Sequence, residues 1–383
     1  MAVKTGIDVL LEKPDTYIGE YEVGLVTNPS GITMELIPTL DALHLHSDVK
    51  LERIFGPEHG ARGDVQDGLR VESYIDEATE LPVYSLYGEI ERPTAEMLDG
   101  LDALVFDIQD VGARFYTYAS TMRNCLEAIK AEGMVIIILD RPNPINGIDV
   151  EGKILQPDYE SFLGMHPIPM RHGLTIGELS ILSNEDIGAD LRVVEMDSWS
   201  REMWFDETGL PWVQPSPNIP TPVTATVYPS TCLLEGVNIS EERGTTRPFE
   251  YIGSPWIDGR EWARTLNEAT TPGAKFRLCH FTPIFGKYRN QLCEGVQVHI
   301  LDRDSYNSVE TGLHLLSTAL KLWPKKFKWL KPENDDKYHF DLFAGTDEIR
   351  LVLREGKTVK DITEEWRGEL DAFRDRCDGF HLY

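Results

Sequence analysis

Three stretches of this chain concentrate the side chains that do acid–base chemistry. "IFGPEHGARG" (54–63) sets Glu58 and His59 between a proline and a glycine, with Arg62 close behind. "FDIQDVGARFYTY" (106–118) gathers Asp107, Gln109, Asp110, Arg114, Tyr116 and Tyr118. "LLEGVNISEERGTTRPFE" (233–250) supplies Glu235, Asn238, Glu241, Arg243, Thr245 and Arg247. Carboxyls held in stiff loops suit glycoside hydrolysis, where one carboxyl protonates the leaving oxygen and a second group attacks or stabilises the sugar cation. Glu58 is the best-placed proton donor, because Pro57 stiffens its loop and Gly60 lets the backbone approach a ligand. His59 would orient it, and Asp110 or Glu241 would be the partner carboxyl. In the second stretch a structural Asp107–Arg114 pair with packed tyrosines is as good a reading as ligand contact. In the third, an arginine could grip a substrate carboxylate through two parallel hydrogen bonds.

Other chemistries are poorly represented. His44 and His46 end a helical pattern rather than a strand, and neither H-E-x-x-H nor an Asp-rich calcium loop occurs, so no metal is expected. Neither G-x-G-x-x-G after a strand nor G-x-x-x-x-G-K-[ST] is present, which argues against nicotinamide and ATP. A G-x-S-x-G elbow is also missing, and each cysteine sits in an apolar context. No cofactor is expected.

The elements that must carry these residues alternate. Strands are predicted over 22–28, 49–57, 81–88, 103–110, 134–142 and 190–196, with helices over 33–43, 94–101, 118–133 and 174–182. The run "MVIIILDRP" (134–142) has the unbroken β-branched character of a strand buried on both faces. This alternation implies a Rossmann-like, doubly wound α/β sheet, mostly parallel, whose ligands bind beyond the strand carboxyl ends. The exits there carry Asn28, Glu58, Tyr87, Asp107 and Asn143. A Pro- and Thr-rich stretch over 211–256 reads as one long functional loop. The crossover into a smaller C-terminal α+β domain is placed near 230, giving units 1–230 and 231–383. That second unit is predicted to contain a strand at 294–301 and helices at 308–323 and 362–377.

Bulk properties narrow the partners. The 383 residues carry 64 acidic and 37 basic side chains, a net charge of −27, which disfavours nucleic acid and anionic membranes. Five cysteines at wide, irregular spacing fit reduced structural thiols. The first apolar patch is interrupted by Glu12 and Pro14, and no run reaches the length of a membrane span, so a cytoplasmic location is expected.

Taken in order, "FGPEHGARG", "PVYSLYG", "FDIQDVGARFYTY", "LDRPNP", "RHGLTIGEL", "PSPNIPT" and "LLEGVNISEERGTTRPFEYIGSPWI" resemble the NamZ-type exo-β-N-acetylmuramidases. The likeness continues through "CEGVQVHILDR" and "FDLFAGTDEIR" to "GFHLY". It implies a Rossmann-like domain and a smaller C-terminal domain with an active-site cleft between them, and removal of β-linked N-acetylmuramic acid from the non-reducing end of peptidoglycan fragments, with the glutamate of "PEHG", Glu58, in catalysis. It also draws Arg171, His172 and Asn218 into the substrate site through their motifs. Muramic acid bears a lactyl carboxylate, so Arg62, Arg114, Arg171, Arg243 and Arg247 are candidates to bind it. Retention, inversion and participation of the 2-acetamido group all stay open. So do two other readings: a non-catalytic muropeptide sensor, and a hydrolase of another N-acetylhexosaminide.

Overall fold

A computed structural model describes residues 2–63, 73–269, 271–332 and 336–383. Its main sheet contains β1 (Glu22–Thr27), β2 (Lys50–Gly56), β3 (Tyr74–Ile75), β4 (Pro82–Ser85), β5 (Ala103–Asp107), β6 (Val135–Leu139) and β7 (Asp190–Val194). The order across it is β3-β4-β2-β1-β5-β6-β7, parallel except for the short antiparallel edge strand β3. Without that edge strand, the order is the doubly wound dinucleotide-fold order.

Side-chain alternation explains why helices cover both faces. Leu25, Val105 and Ile137 fall in one buried apolar cluster, while Val26, Phe106 and Ile138 fall in another. Successive residues of a strand point to opposite faces, so both faces are apolar and both must be covered. The second cluster continues without a break into the C-terminal half, through Phe249, Trp262 and Leu316. One apolar core therefore joins the large sheet to a smaller sheet of β8 (Tyr251–Ser254), β9 (Ala274–Phe281) and β10 (Cys293–Ile300). That sheet is antiparallel in the order β8-β10-β9.

The predicted helix over 33–43 begins later, at Thr39–Leu45, because Thr33 and Ile37 close a turn on each other and Pro38 then starts the helix. The stretch 211–256 is not one loop. Thr221 caps Thr224 N, Pro222 occupies the first helical turn, and the helix runs Pro222–Thr231 before a 3₁₀ segment Cys232–Gly236. It lies close against helix Ser308–Leu322: a Cβ on Gly312 would meet Ser230 O at 2.5 Å. The predicted helix 362–377 is two, Val359–Glu364 and Arg367–Cys377. Among the described residues, no helix is long and apolar enough to cross a membrane. All five cysteines are buried and unbridged.

Candidate active site

β2 leaves the sheet into a tight four-residue turn, closed by Gly60 N donating to Pro57 O at 2.9 Å. His59 occupies the third position with φ 74°, where a turn of this kind ordinarily takes glycine. The turn lifts Glu58 into a cleft of about 300 Å³ and leaves His59 buried against its wall. Thr117 Oγ1 donates to Glu58 Oε2 at 2.8 Å, which holds one carboxyl oxygen of this lining residue. Thr117 immediately precedes helix Tyr118–Glu132, so the helix start and the strand exit fix the carboxyl together.

The near wall is completed by Tyr87, Tyr116, Ser216 and Asn218. The carbonyl of Pro215 accepts from Asn28 Nδ2 at 2.9 Å and from Tyr118 Oη at 2.6 Å, which pins the loop carrying Ser216 and Asn218. The far wall comes from the C-terminal half: Tyr228, Glu235, Arg243, Phe249, His339 and Phe343. Glu58 and Glu235 thus reach one cleft from opposite halves of the chain. By contrast, the hollow where the strand order reverses, lined by Gln109, Phe205 and Trp212, is closed to about 20 Å³, room for about one water.

Charge on the far wall is divided unevenly. Arg243 Nη2 lies 2.7 Å from Glu235 Oε1 and Nη1 lies 3.6 Å from Glu241 Oε1, while its guanidinium sits over the Phe249 ring at 5.1 Å. Burial raises the Glu235 carboxyl above the ordinary range; Arg243 opposes this and the charge of Glu241 adds to it. Glu241 is also buried, but Lys287 and Arg243 outweigh that penalty and hold its carboxyl below the ordinary value. Glu235 therefore keeps a proton more readily than Glu241, the neighbour with which it shares Arg243.

Several candidates stand elsewhere. Glu241 is sequestered behind the wall by Lys287 at 2.9 Å. Asp110 is buried beneath the loop after β5, accepting from Gly112 N at 2.6 Å, with His172 Nε2 at 3.3 Å. Asp107 does not pair with Arg114 but with Arg141, at 2.5 Å. Arg114 is fully buried, and its guanidinium donates to the carbonyls of Lys153, Ile168 and Phe343, bracing the two halves. Desolvation by burial pulls its pKa down to about 9. Arg62 is paired with Asp41 and Asp76, Arg171 with Glu151 and Asp149, and Arg247 with Glu250. Gln109 and Asn143 tie loops together through Pro142 O and Leu174 O, as Asn238 does through Lys326 O. Thr245 Oγ1 donates to Glu242 O. Among the arginines proposed for a substrate carboxylate, Arg243 is the one that lines the cleft.

Among the lining residues that sequence reasoning missed are Thr117, Ser216 and His339, along with the aromatic rings of Phe162, Tyr228, Phe249 and Phe343. Thr117 lies inside a motif already singled out, and Ser216 inside "PSPNIPT". His339 stands immediately before a quoted motif, on a helix His339–Ala344 that reaches the cleft only through folding.

Glu242, next to this wall, bears on stability. It is fully buried at φ 66°, its amide engages the Ser240 hydroxyl, and neither carboxylate oxygen has a hydrogen-bond partner among the described residues. Burial pushes its pKa up from 4.5 to about 9. The folded state then holds a proton that the unfolded chain releases, so this group's contribution declines as pH rises from 4.5 to about 9. Compared by urea unfolding, Glu242→Gln should gain on the parent progressively between about pH 5 and about pH 9. A difference that stays constant with pH would contradict this.

Comparisons with known proteins span the whole chain. A family model described as exo-β-N-acetylmuramidase NamZ, N-terminal, matches residues 23–223, and its C-terminal counterpart matches 226–383. The chain is 49% identical over its full length to the peptidoglycan β-N-acetylmuramidase NamZ of Bacillus subtilis (strain 168), covering 91% of that protein. Two crystal structures of DUF1343 family proteins from Bacteroides fragilis NCTC 9343 also align. One has a TM-score of 0.91 at 37% identity and the other 0.79 at 29%, each over 100% of this chain and 99% of its own.

Proposed function

The chain belongs to the NamZ exo-β-N-acetylmuramidase family, and from that premise we propose roles for its cleft residues. The protein is a glycosidase that releases β-linked N-acetylmuramic acid from the non-reducing end of peptidoglycan-derived saccharides. Glu58 is the residue that transfers a proton to the glycosidic oxygen. The observation that carries this role is its placement: a strand-exit turn lifts it into the cleft, and Thr117 holds one carboxyl oxygen at 2.8 Å. His59 shapes the turn that presents it.

Arg243 receives the lactyl carboxylate. It is the candidate arginine on the cleft lining, and burial raises the carboxyl of its partner Glu235, which weakens that partner's hold on the guanidinium. Tyr87 and Phe162, whose rings lie 6.3 Å apart on the lining, offer an apolar surface to a pyranose face.

The test is a panel of chromogenic glycosides that share one leaving group. Turnover of the N-acetylmuraminide well above that of the N-acetylglucosaminide is expected. Equal turnover of the two would overturn the role of Arg243, and tight binding of muramic acid with no hydrolysis would overturn that of Glu58.

A further inference from the structure

Lys287 lies on the hairpin between β9 and β10, outside the cleft lining. Its ammonium donates to the carbonyls of Leu234 at 2.9 Å, Glu235 at 3.1 Å and Ile239 at 3.1 Å, and to Glu241 Oε2 at 2.9 Å. The carbonyls belong to the segment that carries Glu235 into the cleft, and the carboxylate belongs to the residue that competes for Arg243. We propose that Lys287 is a specificity-determining positioning residue, which satisfies Glu241 so that Arg243 stays available to a carboxylate-bearing sugar.

Arg243 stands between two glutamates, closer to Glu235 at 2.7 Å than to Glu241 at 3.6 Å. Glu241 is buried and ionised, and such a group requires a cation within reach. Lys287 meets that need from the side away from the cleft. Without it, Arg243 is the remaining neighbouring cation in the cluster, and the two would close on each other. Arg243 would then be drawn from the cleft toward Glu241 and hold a substrate carboxylate less well. Charged and titratable groups around Glu235 are Arg243, Glu241, Lys287, Cys232 and Tyr228. The remaining neighbour of Glu241 is Glu242, which burial keeps protonated at neutral pH.

The hairpin is suited to hold the ammonium still. Tyr288 Oη donates to Asn238 O at 2.8 Å and accepts from Trp256 Nε1 at 3.0 Å, and Ile284 N donates to Gly244 O at 3.0 Å. A Cβ on Gly244 would meet Phe285 N at 2.8 Å, so the hairpin and the 241–249 segment are in close backbone contact.

This inference rests on the proposed role of Arg243, and the experiment separates the two. Affinities for N-acetylmuramic acid and N-acetylglucosamine are measured by calorimetry for the parent, Lys287→Met, and Lys287→Met combined with Glu241→Gln. The parent should favour muramic acid. Lys287→Met should lose about tenfold of that preference, with glucosamine binding little changed, and adding Glu241→Gln should restore most of it. Restoration is the decisive reading, because the carbonyl contacts of Lys287 are absent from both variants while the charge balance differs. Should Lys287→Met weaken both sugars alike, or the double variant recover nothing, Lys287 is only a structural tether. Should the parent itself show no preference for muramic acid, the role given to Arg243 fails instead.

Discussion

Glu58→Gln is expected to lower kcat on a muramoyl disaccharide by about 10²–10⁴-fold, the usual contribution of a positioned acid or base. KM should change little. Glutamine keeps the oxygen that accepts from Thr117 Oγ1, and the turn around it depends on Pro57, His59 and Gly60 rather than on the carboxyl. The loss should therefore reflect proton transfer and not a displaced loop. Leaving-group dependence gives the sharper reading. A substrate whose leaving oxygen needs no proton should retain most of its rate, whereas a sugar leaving group should suffer the full loss. Parallel losses on both would assign Glu58 to the other face of the sugar, as nucleophile or base. Near-normal turnover of the disaccharide would remove it from the chemistry altogether.

The next largest effect is expected from Arg243→Met. A hydrogen bond to a charged partner contributes about 1.5–3 kcal/mol, so affinity for N-acetylmuramic acid should fall about 10–100-fold. Affinity for N-acetylglucosamine, which lacks the carboxylate, should fall much less. Methionine keeps contact with Phe249, over which the guanidinium now lies at 5.1 Å. Glu241 retains Lys287, and loss of Arg243 removes a charge that opposes the raised pKa of Glu235, moving that carboxyl further toward its neutral form. The variant should fold, and its melting temperature checks that point. Arg243→Lys restores the charge but not the planar fork, and should recover only part of the selectivity. Equal loss for both sugars would show that Arg243 shapes the wall without reading the carboxylate.

Local pattern was enough for most of the parallel sheet, and there is a physical reason. Residues 135–139 are apolar on both faces because helices cover both faces of the strand, so burial is written into consecutive residues. The helix Pro222–Thr231 was hidden for the opposite reason. Its prolines, threonines and serine have weak helix propensity, and it holds through burial against Ser308–Leu322 rather than through its own composition. Edge strand β3 is only two residues long, too short for any period to be read.

Residue types and the strand-exit rule were sufficient to single out Glu58, because a proline–glycine turn after a buried strand points outward whatever lies opposite it. They could not tell a catalytic carboxyl from a structural one. Asp110 and Glu241 look as reactive as Glu58 in sequence, yet one is buried beneath a loop and the other is satisfied by a lysine from a distant hairpin. The arginines were equally indistinguishable, since a guanidinium's role is set by what surrounds it. Arg114 braces three carbonyls from separate segments, Arg62, Arg171 and Arg247 pair with carboxylates away from the cleft, and Arg243 pairs with Glu235 on the cleft lining. What the chain alone determined was the parallel sheet and the Glu58 turn. Only the folded structure decided which charged groups line the cleft and which are paired away from it, because charge pairing depends on contacts between residues far apart in sequence.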